Sequence, residues 1–494
     1  MKDKRVDFNS LLMVANVIVA GLLVWVFPHA ADSAYLDGET IVLAIVLCIQ
    51  TQAALWIERR RRDPLMLLLA FDMIFFYSFR IYTLALYSFS TVFVRYDYGP
   101  EDSNQALLFI LVANLFLYAG LYVVRLKKAP RIHSEGWRPA APGRVVTLLI
   151  LTIIFGYLVG SLAGSVPRFF NFITNLLAPG LVVLMALVYY SVFRHSLSNT
   201  FVRVIGVLIV VEMVAHTLWG SRSALVLFGL YCIYVALALN GTIRIRTKYV
   251  VTGIVLAPFV AVMLVAVFAI STFNRAARDG GPSLDVGQSI QNAAMSGTDL
   301  VADVNFDLLL APVTDRIAYF DFTAEIMAHR VEYADILNLP AYLKSIVDNL
   351  LTPGFDVYDQ PKISNGLAFI YRGDGTPSKA HAEESYQSDQ LGIYGEFYVL
   401  FGYGSLPLLF LVAYGLKRLY VGLNNVDPFM LTMQRVVVLW TFLRTIDSFG
   451  FDWTLVETTN LLIVIYVYRF VFAATRRPRH APEPDTAAPI VLQA

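Results

Sequence analysis

Long apolar runs separated by short polar stretches set the pattern of this chain. The runs are centred on residues 10–28, 39–57, 65–90, 105–124, 145–164, 176–193, 201–219, 223–240, 249–271, 396–416, 428–447 and 455–473. Each approaches the roughly 20 apolar residues that carry a helix across a bilayer. A membrane β-barrel would instead alternate apolar and polar positions over ~10-residue segments. The pattern therefore predicts an all-α polytopic membrane protein with about 12 transmembrane helices. The first run is longer than the core of a cleaved signal and is read as an uncleaved anchor.

Composition agrees. Of 494 residues, 57% are hydrophobic and 15% charged, and the mean hydropathy is +0.62. Soluble domains carry roughly 25% charged residues. A net charge of +1 offers no basis for binding nucleic acid. The two cysteines, Cys48 and Cys232, lie inside apolar runs and form neither a disulfide framework nor a zinc site.

Lysine and arginine positions predict sidedness. With the N-terminus in the cytoplasm, the inside segments carry 23 of them, and the short outside loops carry only Arg95, Arg168 and Arg222. Both termini are thus expected in the cytoplasm. The division is a bundle over 1–271, a large periplasmic loop over 272–395, further spans over 396–474 and a Pro/Ala-rich disordered tail over 475–494. Residues 272–390 carry 17 Asp/Glu against 8 Lys/Arg. Helical patterns run there over Ile317–Tyr333 and Ala341–Leu351, stopped by Thr352-Pro353-Gly354. A loop this long is usually functional.

Charges inside apolar runs mark function or paired structural sites. Span three carries Asp72 and Arg80, too far apart along the helix to pair directly. Span seven carries Glu212 and His216, one turn apart. Span eleven carries Arg435, placed to snorkel toward the cytoplasm, and Arg444. Arg80 and Arg444 lie toward the loop side, with a functional and a structural reading open for both. Arg222 stands between Ser221 and Ser223 after Gly220. It is either an interfacial anchor or a fork that grips two oxygens of an anionic group. Arg275, Arg278 and Arg316 near the loop's membrane ends are either anion sites or members of surface salt bridges. His381 is either an exposed loop histidine or a general base with Glu384 beside it. His329, next to Arg330 and Glu332, reads as part of a solvated face. Neither Asp-x-Asp nor His-x-x-x-His occurs, so no metal or other cofactor is expected.

Two stretches carry a resemblance. Gly395-Glu396-Phe397-Tyr398-Val399-Leu400-Phe401-Gly402 looks like the helix that follows the large loop in bacterial oligosaccharide repeat-unit polymerases, the Wzy-type O-antigen and exopolysaccharide polymerases. Trp219-Gly220-Ser221-Arg222-Ser223-Ala224 is similar to a small-residue–arginine motif shared with the O-antigen ligases. Twelve spans with a large periplasmic loop between nine and ten also resemble that superfamily. The resemblance implies an inner-membrane, GT-C-type inverting glycosyltransferase. Its substrates would be undecaprenyl-diphosphate-linked oligosaccharides, with membrane lipids around it and a chain-length regulator as a possible partner. In the ligases, arginines bind the diphosphate and a loop histidine activates the acceptor hydroxyl. Arg222 matches the arginine. His381 holds a comparable place but is followed by Ala382-Glu383-Glu384 where the ligases have asparagine. That favours polymerase over ligase, and it leaves Glu384 or Glu396 as alternative bases. A ligase-like transferase and a lipid-linked-sugar flippase are the other readings.

Overall fold

The computed structural model describes residues 5–86, 97–125, 137–162, 179–218, 224–253, 255–256, 319–348, 357–358, 363, 366–367, 370, 391–446, 450–472 and 475–476. These residues are mostly helical, with four very short strands and short connecting turns. The helices are α1 (Phe8–Val26), α2 (Gly38–Arg61), α3 (Pro64–Leu86), α4 (Pro100–Val123), α5 (Pro142–Leu162), α6 (Pro179–Phe193), α7 (Asn199–Leu218) and α8 (Ala224–Asn240). After the stretch outside the described residues come α9 (Tyr319–Ile336), α10 (Leu339–Ile346), α11 (Gly392–Phe401), α12 (Leu406–Gly422), α13 (Pro428–Ile446) and α14 (Phe451–Phe472). Six segments among the described residues are long and apolar enough to cross a membrane: Phe8–Ala30, Gly38–Arg61, Pro64–Leu86, Pro100–Val123, Gly392–Gly422 and Pro428–Ile446. The protein is an all-α, multi-pass membrane protein. A helix overlaps each expected span; of 249–271 only 249–253 and 255–256 are described, and they are helical.

Local chemistry starts and stops these helices. Asp37 caps α2 by accepting the Thr40 N–H at 2.8 Å, which satisfies one of the free donors of the first turn. Arg59, Arg60 and Arg61 occupy its last turn, where cations complement the helix dipole. Asp63 caps α3 through the Leu65 N–H at 3.1 Å, with Pro64 next to it. A π-helical turn, Met73–Ser78, interrupts α3 just after Asp72.

Lipid is as apolar as leucine, so helix association within a membrane relies on close packing and interhelical hydrogen bonds. Both are present. Asn16 donates from α1 to the Cys48 carbonyl of α2 at 2.8 Å and to Gln52 at 3.0 Å. Asn9 donates to the Leu55 carbonyl at 3.0 Å and to the Glu58 carboxyl. At Gly120 the backbones of α4 and α12 nearly touch: a Cβ there would stand 2.5 Å from the Phe410 carbonyl oxygen.

Four short strands lie at one end of the bundle. β1 (Arg5–Asp7) pairs antiparallel with β3 (Arg244–Arg246), and β2 (Trp137–Arg138) with β4 (Thr475–Arg476). They join four arginine-containing segments that the charge pattern places on one side of the membrane. We call this the strand end and the opposite one the loop end. At the strand end Lys417 of α12 meets Asp63 at 2.5 Å, both wholly buried. Arg435 does not snorkel there. It is 5% exposed and donates to the Ala238 carbonyl at 3.1 Å. Its position explains this: α8 ends at Asn240, and the last carbonyls of a helix lack intrahelical donors.

Candidate functional site

At the loop end, α9 lies across the bundle against α4, α11 and the π turn of α3. Asp321, Glu325 and His329 recur at i, i+4 and i+8 and so form one stripe along α9. Each finds a partner on the bundle. Asp321 accepts from Arg80 Nε at 2.7 Å and from Arg80 Nη2 at 3.1 Å, a fork-to-carboxylate pair. The Tyr98 hydroxyl adds a third donor to Asp321 at 2.9 Å. Arg80 is 1% exposed and Asp321 0%. One turn on, Glu325 accepts the Asp97 N–H at 2.9 Å. Burial pushes the Glu325 carboxyl up to about 7, against the opposing pull of that N–H and of His329. A further turn on, His329 Nε2 meets the Asp97 carbonyl oxygen at 2.7 Å, and Nδ1 meets Glu332 at 3.2 Å.

The adjacent flank of α9 meets α11. Ile326 occupies the space beside Gly395 that any Cβ there would invade. Arg330 donates to the Val399 carbonyl at 3.4 Å and lies over the Tyr398 ring. The Gly-Glu-aromatic sequence thus has a local physical reason: its glycine lets the loop helix seat. Tyr394 anchors α11 from below, its hydroxyl 2.5 Å from Asn114 of α4, and Asn114 in turn reaches the Met73 sulfur at 2.9 Å.

The residues expected to carry chemistry fare differently. Arg80 is held by Asp321. Arg444 lies over the Trp440 ring at 4.9 Å and 3.9 Å from Glu457. Glu396 is 2% exposed, on the helix that α9 covers. Arg222, Arg275, Arg278, Arg316, His381 and Glu384 lie outside the described residues. Asp72 is wholly buried at the π turn, and Glu212 is buried within α7.

His329 lies on a face whose neighbours Glu332 and Asp97 are largely exposed, but the histidine itself is half-buried. Its ring is 25% exposed and bonded at both nitrogens. The neighbours that suggested solvent, Arg330 and Glu332, are local, whereas its main partner Asp97 is 232 residues away. Sequence reading also passed over Asp321, Glu325 and Tyr98. A signal for the first two existed: titratable residues at i+4 spacing in an acidic loop, opposite a bundle with a buried-span arginine. No protein-family model, no curated protein and no solved structure matches this chain at a significant level.

Proposed function

We propose that the protein is a GT-C-type inverting glycosyltransferase of the bacterial inner membrane, with twelve spans and both termini in the cytoplasm. It joins undecaprenyl-diphosphate-linked oligosaccharide repeat units at the periplasmic face. The observation that carries the reading is the seating of α9, from the large acidic loop, on the Gly395-Glu396 helix. The same helix carries the resemblance to repeat-unit polymerases. The gathering of basic segments at the strand end supports the sidedness.

The chemistry follows from the substrate. An acceptor sugar hydroxyl attacks the anomeric carbon of the donor glycan. The bond from that carbon to the diphosphate oxygen breaks, undecaprenyl diphosphate departs, and the hydroxyl proton passes to a base. The diphosphate is already a good leaving group. The protein therefore needs cations on the departing oxygens, one base and accurate positioning. We assign the diphosphate to Arg222, with Arg275, Arg278 and Arg316 as helpers, and the proton to His381 oriented by Glu384. Glu396 is the alternative base. Arg80 serves the site indirectly, by fixing α9.

The test is transfer by the purified protein in liposomes supplied with a labelled lipid-linked repeat unit. A ladder of lipid-linked products is expected, and Arg222→Lys, which keeps the charge but loses the fork, should abolish most of it. A single transfer to a different lipid acceptor would indicate a ligase-like enzyme. Movement of the label across the bilayer with no new glycosidic bond would overturn the proposal in favour of a transporter.

A further inference from the structure

The membrane-crossing segment Gly392–Gly422 is broken at a corner between α11 and α12. α11 ends at Phe401. Gly402 then takes φ +57°, a left-handed conformation that favours glycine, and a tight helical turn, Gly402–Ser405, leads into α12. The loop helix α10 lies beside this corner, and the three helices enclose a groove of about 350 Å³. Its walls carry no charge. Leu339 and Tyr342 come from α10, Phe397 and Phe401 from α11, Leu408 and Leu411 from α12.

The groove is continuous with the lipid-facing surface of the span. Leu411 is both a wall of the groove and, at 56% exposure, part of the outward face of α12, with Leu419 exposed two turns further along. Lipid hydrocarbon surrounds such a face. α10 extends the same surface: its Leu339 and Leu343, one turn apart, are half-exposed, while Tyr342 and Ser345 are buried. A short helix that turns leucines outward beside a span has the pattern of an interfacial helix with its apolar side at the acyl boundary. The groove follows α12 only over Leu408–Val412, about 6 Å of helix rise, well within one leaflet of a roughly 30 Å hydrocarbon core. So short a track matches the upper part of one acyl chain and not the course of a long polyprenyl chain.

A cation stands at the head of this track. A Cβ on Gly402 would lie 3.3 Å from Arg330 Nη2, which donates to the Val399 carbonyl at 3.4 Å. Arg330 is exposed, and among the described residues no carboxylate pairs with it; Glu332, two residues along α9, meets His329 instead. One carbonyl uses little of a five-donor fork, and the remaining N–H groups suit phosphate oxygens. From Gly402 the chain runs past Leu408 and Leu411 toward Lys417 and the strand end, so the cation and the apolar walls follow one another down the span.

We propose that the corner between α10, α11 and α12 is a binding site for an anionic bilayer phospholipid, with its phosphate on Arg330 and the upper part of one acyl chain in the groove. The site rests on the span and the loop helices alone and does not require the glycosyltransferase reading.

The test uses the full chain in nanodiscs of phosphatidylcholine doped with phosphatidylglycerol, each lipid in turn carrying a diazirine on one acyl chain. After irradiation, labelled peptides are identified by mass spectrometry. Labelling over 339–343 and 397–412 is expected, about five-fold stronger from the glycerol lipid than from the choline lipid, the factor that one basic residue contributes near an anionic surface. Arg330→Gln should erase that preference and Arg330→Lys should keep most of it. Leu408→Trp, which fills the groove, should cut labelling at 339–343 from both lipids and leave labelling around Leu419 unchanged. Labelling confined to α12, equal yields from the two lipids in wild type, or an unaltered preference in Arg330→Gln overturns the proposal. So does displacement of the label by added undecaprenyl phosphate at a concentration where unlabelled phosphatidylglycerol has no effect, which would give the groove to a polyprenyl lipid.

Discussion

At the loop end Arg80 meets Asp321, and at the strand end Lys417 meets Asp63; all four side chains are buried. The two pairs are built differently. Asp321 receives two guanidinium N–H groups and the Tyr98 hydroxyl. Its geometry is fixed by a planar fork, and its partners lie 241 and 223 residues away in sequence. Asp63 meets a single ammonium, which is a point charge on a flexible stem, and it also caps α3. The first pair selects one docking of a loop helix onto the bundle. The second closes a seam between helices that already span the membrane. Specificity by register is the best-supported use of buried charge, and only the loop-end pair has the directional bonds for it.

The largest test of this contrast is removal of one partner at the loop end. Asp321→Ala leaves a guanidinium buried without its counter-ion, which typically costs about 3–5 kcal/mol. Thermal unfolding in detergent should show it, and proteolysis within 319–336 should accelerate. The double variant Arg80→Met/Asp321→Leu should recover much of the unfolding temperature, because a well-packed apolar pair of similar volume avoids the desolvation. If Asp321→Ala behaves as wild type in both measurements, the ion pair does not seat α9.

A smaller loss is expected at the strand end. Asp63→Ala removes a helix cap and strands the Lys417 ammonium, for about 2 kcal/mol together. The flexible lysine stem can redirect its head group more readily than the planar guanidinium of Arg80. Protease sensitivity at 319–336 should be unchanged. Equal or greater exposure of α9 in Asp63→Ala would dissolve the distinction between the two ends.

Gly395→Ala probes the loop end without touching a charge. The added methyl group meets Ile326 of α9, and overpacking of a filled contact costs about 1.5 kcal/mol. Trimming the neighbour in Gly395→Ala/Ile326→Val should restore part of that. Non-additivity of the pair, measured as a double-mutant cycle, is the specific signature. Additive effects would mean that α9 and α11 do not bear on each other here.

How these ends could be read from sequence also differs. The all-α membrane character was legible because apolar runs of bilayer length leave no other stable arrangement for their backbone, and six of them are long and apolar enough to cross a membrane among the described residues. The loop helices were legible too: patterns over Ile317–Tyr333 and Ala341–Leu351 fall on helices at Tyr319–Ile336 and Leu339–Ile346. The pairing was not. Spacing along one helix shows that Asp72 and Arg80 cannot meet, but it says nothing of a partner 241 residues away. Arg435 failed for the same reason, since its acceptor is a carbonyl 197 residues distant. Carbonyls have no sequence signature at all. For His329 the local charged neighbours were legible, but its partner Asp97, 232 residues away, was not. Of the expected chemistry, Arg222 and His381 rest on motif and sidedness alone.

The finest test separates the fork from its third donor. Tyr98→Phe keeps the ring, which packs 5.1 Å from Tyr35, and deletes only the hydroxyl bonded to Asp321. Hydrogen bonds to a charged group contribute more than neutral ones, but Asp321 retains both Arg80 donors and is not left bare. The expected loss is therefore at the low end, about 1 kcal/mol. It should appear as a small drop in unfolding temperature with α9 still protected. In an Arg80→Lys background the same change should matter more, because the ammonium cannot supply the two parallel bonds and the tyrosine becomes a main support of the carboxylate. Equal effects of Tyr98→Phe in the two backgrounds would show that the hydroxyl and the guanidinium act separately, and the loop-end pair would then be as simple as the one at the strand end.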